Sequence, residues 1–433
     1  MSKQTQKLIT RFDKVLVCQP NYLDFRNVNM NYSTHKYHDY PATMVPKLVD
    51  FFLSNIQQVI KVNNLFDPFM GSGTTLVEGI RHNINSTGID LNPLAVLISK
   101  VKTNKIAPDK LELEWNKLWQ GIATEQLAEK SGKLTITAPN FKNIDYWFKP
   151  TVIHDLQLIK MQILQIVNQD VRNFFWVVFS ETVRYVSNTR NNEFKLYRIP
   201  PKQLSNWQPA TISKFKEYAL RNIKANNSLT DNVANADINY GNAQDLSNFA
   251  DNTFDLLITS PPYGDSQTTV AYGQFSRLSL EWLDLADYAN DQITKIDQAL
   301  LGGTLNKKEI KMPPSTTLKQ VVQEISIKDT HRSQQVEQFY QDLFLVLKEC
   351  QRVMKTKSYQ FWVTANRTVR GISLPTDQII TELYANLGVK KIKCYMRNIH
   401  NKRMPTKNSP TNQQGKTAST MKQEVITIYQ TNN

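Results

Sequence analysis

The chain has 433 residues and a net charge of 52 − 38 = +14, with 40% hydrophobic side chains, enough for a sizeable core in one large domain with insertions or in a few modules. Its longest unbroken apolar run, 174–179, is far short of the ~20 residues of a membrane span, and residues 1–18 lack a signal core. Three scattered cysteines (Cys18, Cys350, Cys394) exclude a disulfide scaffold or a cysteine-based zinc ribbon, so a cytoplasmic protein away from the membrane is expected.

In chain order, residues 1–12 read as a tail. A β-rich run at 64–69 leads through Gly71 and Gly73 into a helix from Leu76 to His82. A second run follows at 86–90, and Asn92-Pro93 has the capping acceptor and first-turn proline of a helix start. The block 109–230 reads as mostly helical; within it Val152, Ile153, Leu156, Ile159, Ile163 and Val167 recur at helical spacing. Further β-rich runs come at 236–240 and 254–260, then a loop or small insertion at 301–335. Val336, Phe339, Leu343, Leu347, Cys350 and Met354 mark another helix, ahead of strands at 359–364, 391–396 and 424–429. The Pro, Ser, Asn and Gly content of 401–420 is that of a loop. Seven strands, several separated by helices, predict an α/β fold.

The turn after the first strand, Asp67-Pro68-Phe69-Met70-Gly71-Ser72-Gly73-Thr74-Thr75, can approach a ligand closely at its glycines. Alone, these glycines fit a tight structural turn as well as a nucleotide cradle. A phosphate-cradling P-loop requires a Gly-Lys-Ser/Thr ending, which is missing, and a dinucleotide fingerprint requires glycine where Leu76 stands. Asp90 closes the next strand, where an acid commonly accepts ribose hydroxyls. With Asp67 before the glycines and Asp90 after them, a ribose-bearing ligand without a pyrophosphate fits best.

The fourth strand ends in Ser260-Pro261-Pro262-Tyr263. Together with Asp67–Thr75, this tetrapeptide resembles the paired signature of S-adenosylmethionine-dependent DNA amino-methyltransferases, in the Ser-Pro-Pro-Tyr form typical of N4-cytosine enzymes. His38–Pro46 resembles the segment before the family's cofactor loop, Gly88–Leu94 its ribose-binding turn, and Asn398–Pro405 with the last strand its closing region. The resemblance covers roughly two-thirds of the chain and is weakest over 109–230. It implies a Rossmann-like seven-stranded methyltransferase sheet with a mostly helical insertion. It implies S-adenosyl-L-methionine as cofactor, held by Asp67, Pro68, Phe69, Gly71, Ser72, Gly73, Thr74, Thr75, Asp90, Leu91, Asn242 and Ala243. Asn242 stands where the family often has an acid that meets the adenine ring.

Chemistry explains the tetrapeptide. An exocyclic amine on cytosine donates its lone pair into the ring and is a poor nucleophile. Acceptors must hold its hydrogens so that the nitrogen can pyramidalise, and Ser260 with the Pro261 carbonyl can supply them. Pro261 and Pro262 fix the backbone, while Tyr263 can stack on a base that has left the duplex. The candidate catalytic residues are therefore Ser260, Pro261, Pro262 and Tyr263. A C5-cytosine enzyme would need a Pro-Cys nucleophile, and no cysteine here follows proline. His35 and His38 have metal-like spacing without a second ligand pair, so a structural role is expected and no metal is assigned.

Basic charge concentrates in two stretches. Residues 388–422 hold Lys390, Lys391, Lys393, Arg397, Lys402, Arg403, Lys407, Lys416 and Lys422 without one acid; residues 184–202 hold five basic residues against Glu193. A solvated basic loop and a phosphate-contacting surface both fit such a pattern, and the motifs favour DNA. Arg184, Arg190, Lys195, Arg397, Lys402, Arg403 and Lys407 are the candidate DNA contacts. The expected organisation is a cofactor-binding part (1–108), a helical insertion for target recognition (109–230), a catalytic-motif part (231–300), a loop or small insertion (301–335) and a closing part with a basic DNA-facing loop (336–433). The expected activity is methylation of cytosine N4 in double-stranded DNA at a specific site, with a cognate restriction endonuclease as the expected partner. Adenine N6, the guanine N2 of a tRNA and a catalytically silent DNA-binding subunit are the alternatives.

Overall fold

A computed structural model describes residues 1–131, 136–137, 139–191, 193–229, 233–265, 269–283, 285, 290–306, 311–399, 407–408, 418–419 and 422–432. Its centre is a seven-stranded sheet of β1 (Asn64–Asp67), β2 (Asn85–Asp90), β3 (Ala236–Tyr240), β4 (Phe254–Thr259), β5 (Met354–Thr364), β6 (Val389–Asn398) and β7 (Gln423–Thr431). The order across the sheet is β3-β2-β1-β4-β5-β7-β6. Strands β1 to β5 pair parallel, while β7 inserts antiparallel between β5 and β6. All seven strands expected from the sequence are present, in the Rossmann-like seven-stranded sheet that the resemblance implied. Chain order reverses between β1 and β4, which opens a crevice beyond their carboxyl ends.

Alternation along the strands supplies both faces. Leu65, Leu256, Ile258, Phe361 and Ile426 face one side; Phe66, Leu257 and Trp362 face the other. The first face packs on helices Lys3–Cys18 and Pro46–Ile56, the second on Thr316–Lys328, Thr330–Val353 and Thr376–Asn386.

Three expectations are corrected. Residues 1–12 are not a tail: Ser2 caps the helix Lys3–Cys18 by accepting from the Thr5 amide, and Leu8 and Phe12 are wholly buried. The Phe12 ring meets Phe51 at 4.8 Å and Phe361 at 6.0 Å between centroids. Val167 lies beyond the helix Pro150–Leu164 and is 90% exposed, so the helical repeat stops one turn earlier than its spacing implied. Residues 301–335 contain Thr316–Lys328 and the start of Thr330–Val353.

Between β2 and β3 the chain is helical: Pro108–Lys130, Pro150–Leu164, Gln169–Val186 and Thr211–Asn226 are its long helices. The 174–179 run lies in Gln169–Val186, which is buried on nearly every side from 174 to 184 because other helices surround it. Their core is continuous with Leu94 and Ile98 of Pro93–Thr103 and with Leu278 and Trp282 of Tyr272–Trp282. The insertion therefore packs on the sheet's own helices rather than standing apart. Among the described residues, no helix is long and apolar enough to cross a membrane.

Candidate active site

The crevice beyond β1 and β4 is a cleft lined from both strand ends, where open α/β sheets bind their ligands. The loop after β1 forms one wall. Gly71 and Gly73 both take positive φ (+50° and +80°), the left-handed region open to glycine. A side chain at 73 would also stand 2.8 Å from Ser99 Oγ and 3.2 Å from Ser99 Cα. Ser99 Oγ donates to the Gly71 carbonyl at 2.8 Å, tying this loop to the helix Pro93–Thr103.

Two carboxylates bracket the loop. Asp67 Oδ1 accepts from Thr259 Oγ1 at 2.6 Å and from the Phe69 amide at 3.0 Å, joining the ends of β1 and β4. Asp90 accepts from the Gly71 amide at 2.9 Å and the Asn92 amide at 2.8 Å. Burial pushes both carboxyls up to about 6, with the backbone and hydroxyl donors pulling the other way.

Of the residues assigned to the cofactor from sequence, Asp67, Pro68, Phe69, Gly71, Ser72, Thr74, Thr75, Asp90, Leu91, Asn242 and Ala243 line the cleft; Gly73 shapes the turn behind it. Ser260 and Pro262 line the same cleft, whereas Pro261 is buried and Tyr263 is not among the lining residues. Tyr263 is half-buried. Its hydroxyl donates to Glu424 Oε1 at 3.0 Å and lies 3.2 Å from Ser260 Oγ. The next residues are clamped from outside. Asp265 Oδ2 accepts from Arg332 Nη2 at 3.1 Å and Arg367 Nη1 at 3.2 Å, and only glycine at 264 leaves space for the Arg367 guanidinium.

Sequence reasoning missed part of the wall. Tyr40 to Met44, Asn92, Tyr272, Leu300 and Leu301 also line the cleft. Asn92 Nδ2 donates to the Tyr40 hydroxyl at 2.9 Å and Ser276 Oγ at 2.7 Å, and the Tyr40 and Tyr272 rings stack at 6.1 Å. The family-like segment 38–46 carried a signal for Tyr40. Tyr272 had none, because an aromatic on an amphipathic helix reads first as core.

The candidate DNA contacts divide. Arg184 is corrected: it is buried, donates to the Glu193 carbonyl at 2.6 Å, lies over the Phe275 ring, and burial lowers its pKa to about 10. Arg397 is corrected as well, because only 5% of its side chain is exposed and its guanidinium stands 3.5 Å from Glu424. Arg190 is exposed beside Glu193 and Tyr197, on a hairpin where the Arg190 amide donates to the Tyr197 carbonyl. Lys195 on that hairpin lies near the Asp297 carboxyl. Lys402 and Arg403 lie outside the described residues; for Lys407 only the backbone is described, paired with Ser419. The two histidines have structural partners: His35 Nε2 lies 2.6 Å from Glu78, and His38 Nδ1 is 2.9 Å from the Asp39 carbonyl.

The residues suit S-adenosylmethionine. The glycine loop gives close backbone approach, Asp90 stands at the tip of β2, and the buried Ser72 Oγ has no partner among the described residues. No family model matches the chain. Type II methyltransferase M.MvaI of Kocuria varians is 45% identical over 441 residues, spanning 98% of this chain and 97% of that protein. Type II methyltransferase M.BsoBI of Geobacillus stearothermophilus is 22% identical over 93% of this chain and 86% of its own. A methyltransferase structure from Methanosarcina mazei aligns with a TM-score of only 0.32 at 9% identity over 87% of this chain and 96% of that one, so the fold assignment rests on the strand order. Near full-length identity to a type II enzyme decides the matter: the chain belongs to the type II DNA methyltransferase family, and its cofactor is S-adenosylmethionine.

Proposed function

We propose that this methyltransferase modifies the exocyclic N4 amine of cytosine in double-stranded DNA at a short specific sequence, as part of a restriction-modification or protection system. The observation that carries the reading is the shared cleft: Ser260 and Pro262 line it together with the glycine loop and Asp90. The cofactor supplies an electrophilic methyl group on a sulfonium, open to direct substitution. Asp90 accepts the ribose hydroxyls, and Gly71 and Gly73 let the backbone close on the ligand. Ser260 Oγ and the Pro261 carbonyl accept the amine's hydrogens and orient its lone pair toward the methyl. The base must leave the stack to reach them, and Pro261 and Pro262 hold the acceptors still when it arrives.

Expression in a methylation-deficient host followed by single-molecule sequencing of its genome tests this reading. N4-methylcytosine at one recurring sequence is expected. N6-methyladenine there would move the enzyme to the adenine class, and an unmodified genome would refute the assignment.

A further inference from the structure

We propose that Glu424 is a positioning residue: through Tyr263 it fixes the direction of the Ser260 hydrogen bond and makes the serine oxygen an acceptor toward the target amine. The inference rests on the reading of Ser260 as the group that holds that amine. Four side chains from three parts of the chain form one relay. Glu424 lies near the start of β7, directly opposite Arg397 on β6. Arg397 Nη1 stands 3.5 Å from Glu424 Oε2, with the two side chains 5% and 16% exposed. Tyr263 hydroxyl donates to the other oxygen, Oε1, at 3.0 Å. Ser260 Oγ lies 3.2 Å from the Tyr263 hydroxyl.

Proton counting sets the direction. A carboxylate only accepts, so the contact with Glu424 uses the one proton Tyr263 has. The Tyr263 oxygen can then meet Ser260 only as acceptor, and Ser260 must donate. Its own proton thus points away from the cleft, leaving the Oγ lone pairs for an incoming N–H. If the serine proton pointed into the cleft, it would face an amine hydrogen donor to donor, and it would compete for the nitrogen lone pair that must attack. The sheet is responsible for this choice. Cross-strand pairing puts a cation beside Glu424 and aims the free oxygen at the tyrosine.

Glu424→Gln reverses the relay while keeping its shape. Arg397 draws the amide oxygen to its side, which leaves the NH₂ group facing Tyr263. Tyr263 then donates to Ser260, and Ser260 donates into the cleft. The experiment uses the full chain with a duplex carrying its methylation site. Single-turnover methyl transfer, cofactor affinity and DNA affinity are measured for wild type, Glu424→Gln, Tyr263→Phe and the double variant. Glu424→Gln should slow transfer by roughly tenfold or more with both affinities within about twofold of wild type. Tyr263→Phe, which keeps the Arg397–Glu424 pair, should slow transfer less, because the freed Ser260 hydroxyl can rotate. In that background Glu424→Gln should add nothing, since the link it acts through is gone.

A Glu424→Gln enzyme with wild-type transfer rate overturns the inference while leaving the active-site reading intact. So does a double variant whose losses simply multiply. Cofactor affinity reports folding in every variant; if Glu424→Gln loses it, Tyr263→Phe decides, and its wild-type transfer rate would overturn the relay. A wild-type enzyme that methylates no DNA amine overturns the reading of the site and the relay with it.

Discussion

Acid should loosen cofactor binding through Asp90. Burial raises this carboxyl from 3.8 to about 6, although two backbone amides at 2.9 and 2.8 Å favour its charged form. Because the folded value lies above the unfolded one, the associated stabilisation of the free protein is fully present below 3.8 and is lost as pH rises through about 6. In the proposed role of Asp90, ribose hydroxyls donate to the charged carboxylate, so ligand and proton compete for the same oxygens. With a value near 6, Asp90 is about nine-tenths protonated at pH ~5 and about one-thirtieth protonated at pH ~7.5. The dissociation constant should therefore rise roughly tenfold across that interval, ~1.4 kcal/mol. Calorimetric titration with the demethylated cofactor, in buffers of different ionisation enthalpy, should show release of about half a proton near pH ~6. Asp90→Asn should bind more weakly at neutral pH and lose this dependence; any slope that remains belongs to Asp67, which burial also raises to about 6. A wild-type affinity that stays flat over the interval would refute the reasoning.

Three further outcomes are expected. Gly73→Ala forces a side chain into φ +80° and against Ser99, so it should cost ~2 kcal/mol and weaken cofactor binding, measured by thermal unfolding with and without ligand; unchanged unfolding would contradict the packing at this turn. Arg367→Ala removes one of the two guanidinium groups on the buried Asp265 and should destabilise the fold by about 3 kcal/mol in urea titrations, an outcome that an unchanged midpoint would rule out. Lys402→Ala and Arg403→Ala should each reduce the salt slope of duplex binding by roughly 0.9, whereas Arg184→Ala should lower stability and leave the slope alone; the reverse pattern would return the buried arginine to the DNA interface.

Much of the site was legible before any fold. The glycines at 71 and 73, the carboxylates at 67 and 90, and the tetrapeptide at 260–263 are each local in sequence, because each answers to a local demand: a positive φ, a strand-end acceptor, a rigid acceptor pair. The N-terminal helix was misread because its buried positions are Thr5, Leu8 and Phe12, and polar neighbours dilute so narrow a stripe. Tyr272 was passed over because nothing in its own segment distinguishes a wall of the cleft from core.

Local residue chemistry thus determined the strand and helix alternation, the glycine loop after β1 and the rigid tetrapeptide after β4. Tertiary structure alone decided which charges reach water. Arg184 and Arg397 sit in basic stretches that resemble a DNA-facing surface, yet packing buries both beside a carbonyl and a carboxylate. It also decided what Tyr263 does, since its partner Glu424 lies 161 residues away and reaches it only because β7 returns between β5 and β6. Spacing along the chain reports what neighbouring residues can do together; the direction of a hydrogen bond depends on which distant acceptor the sheet brings to it.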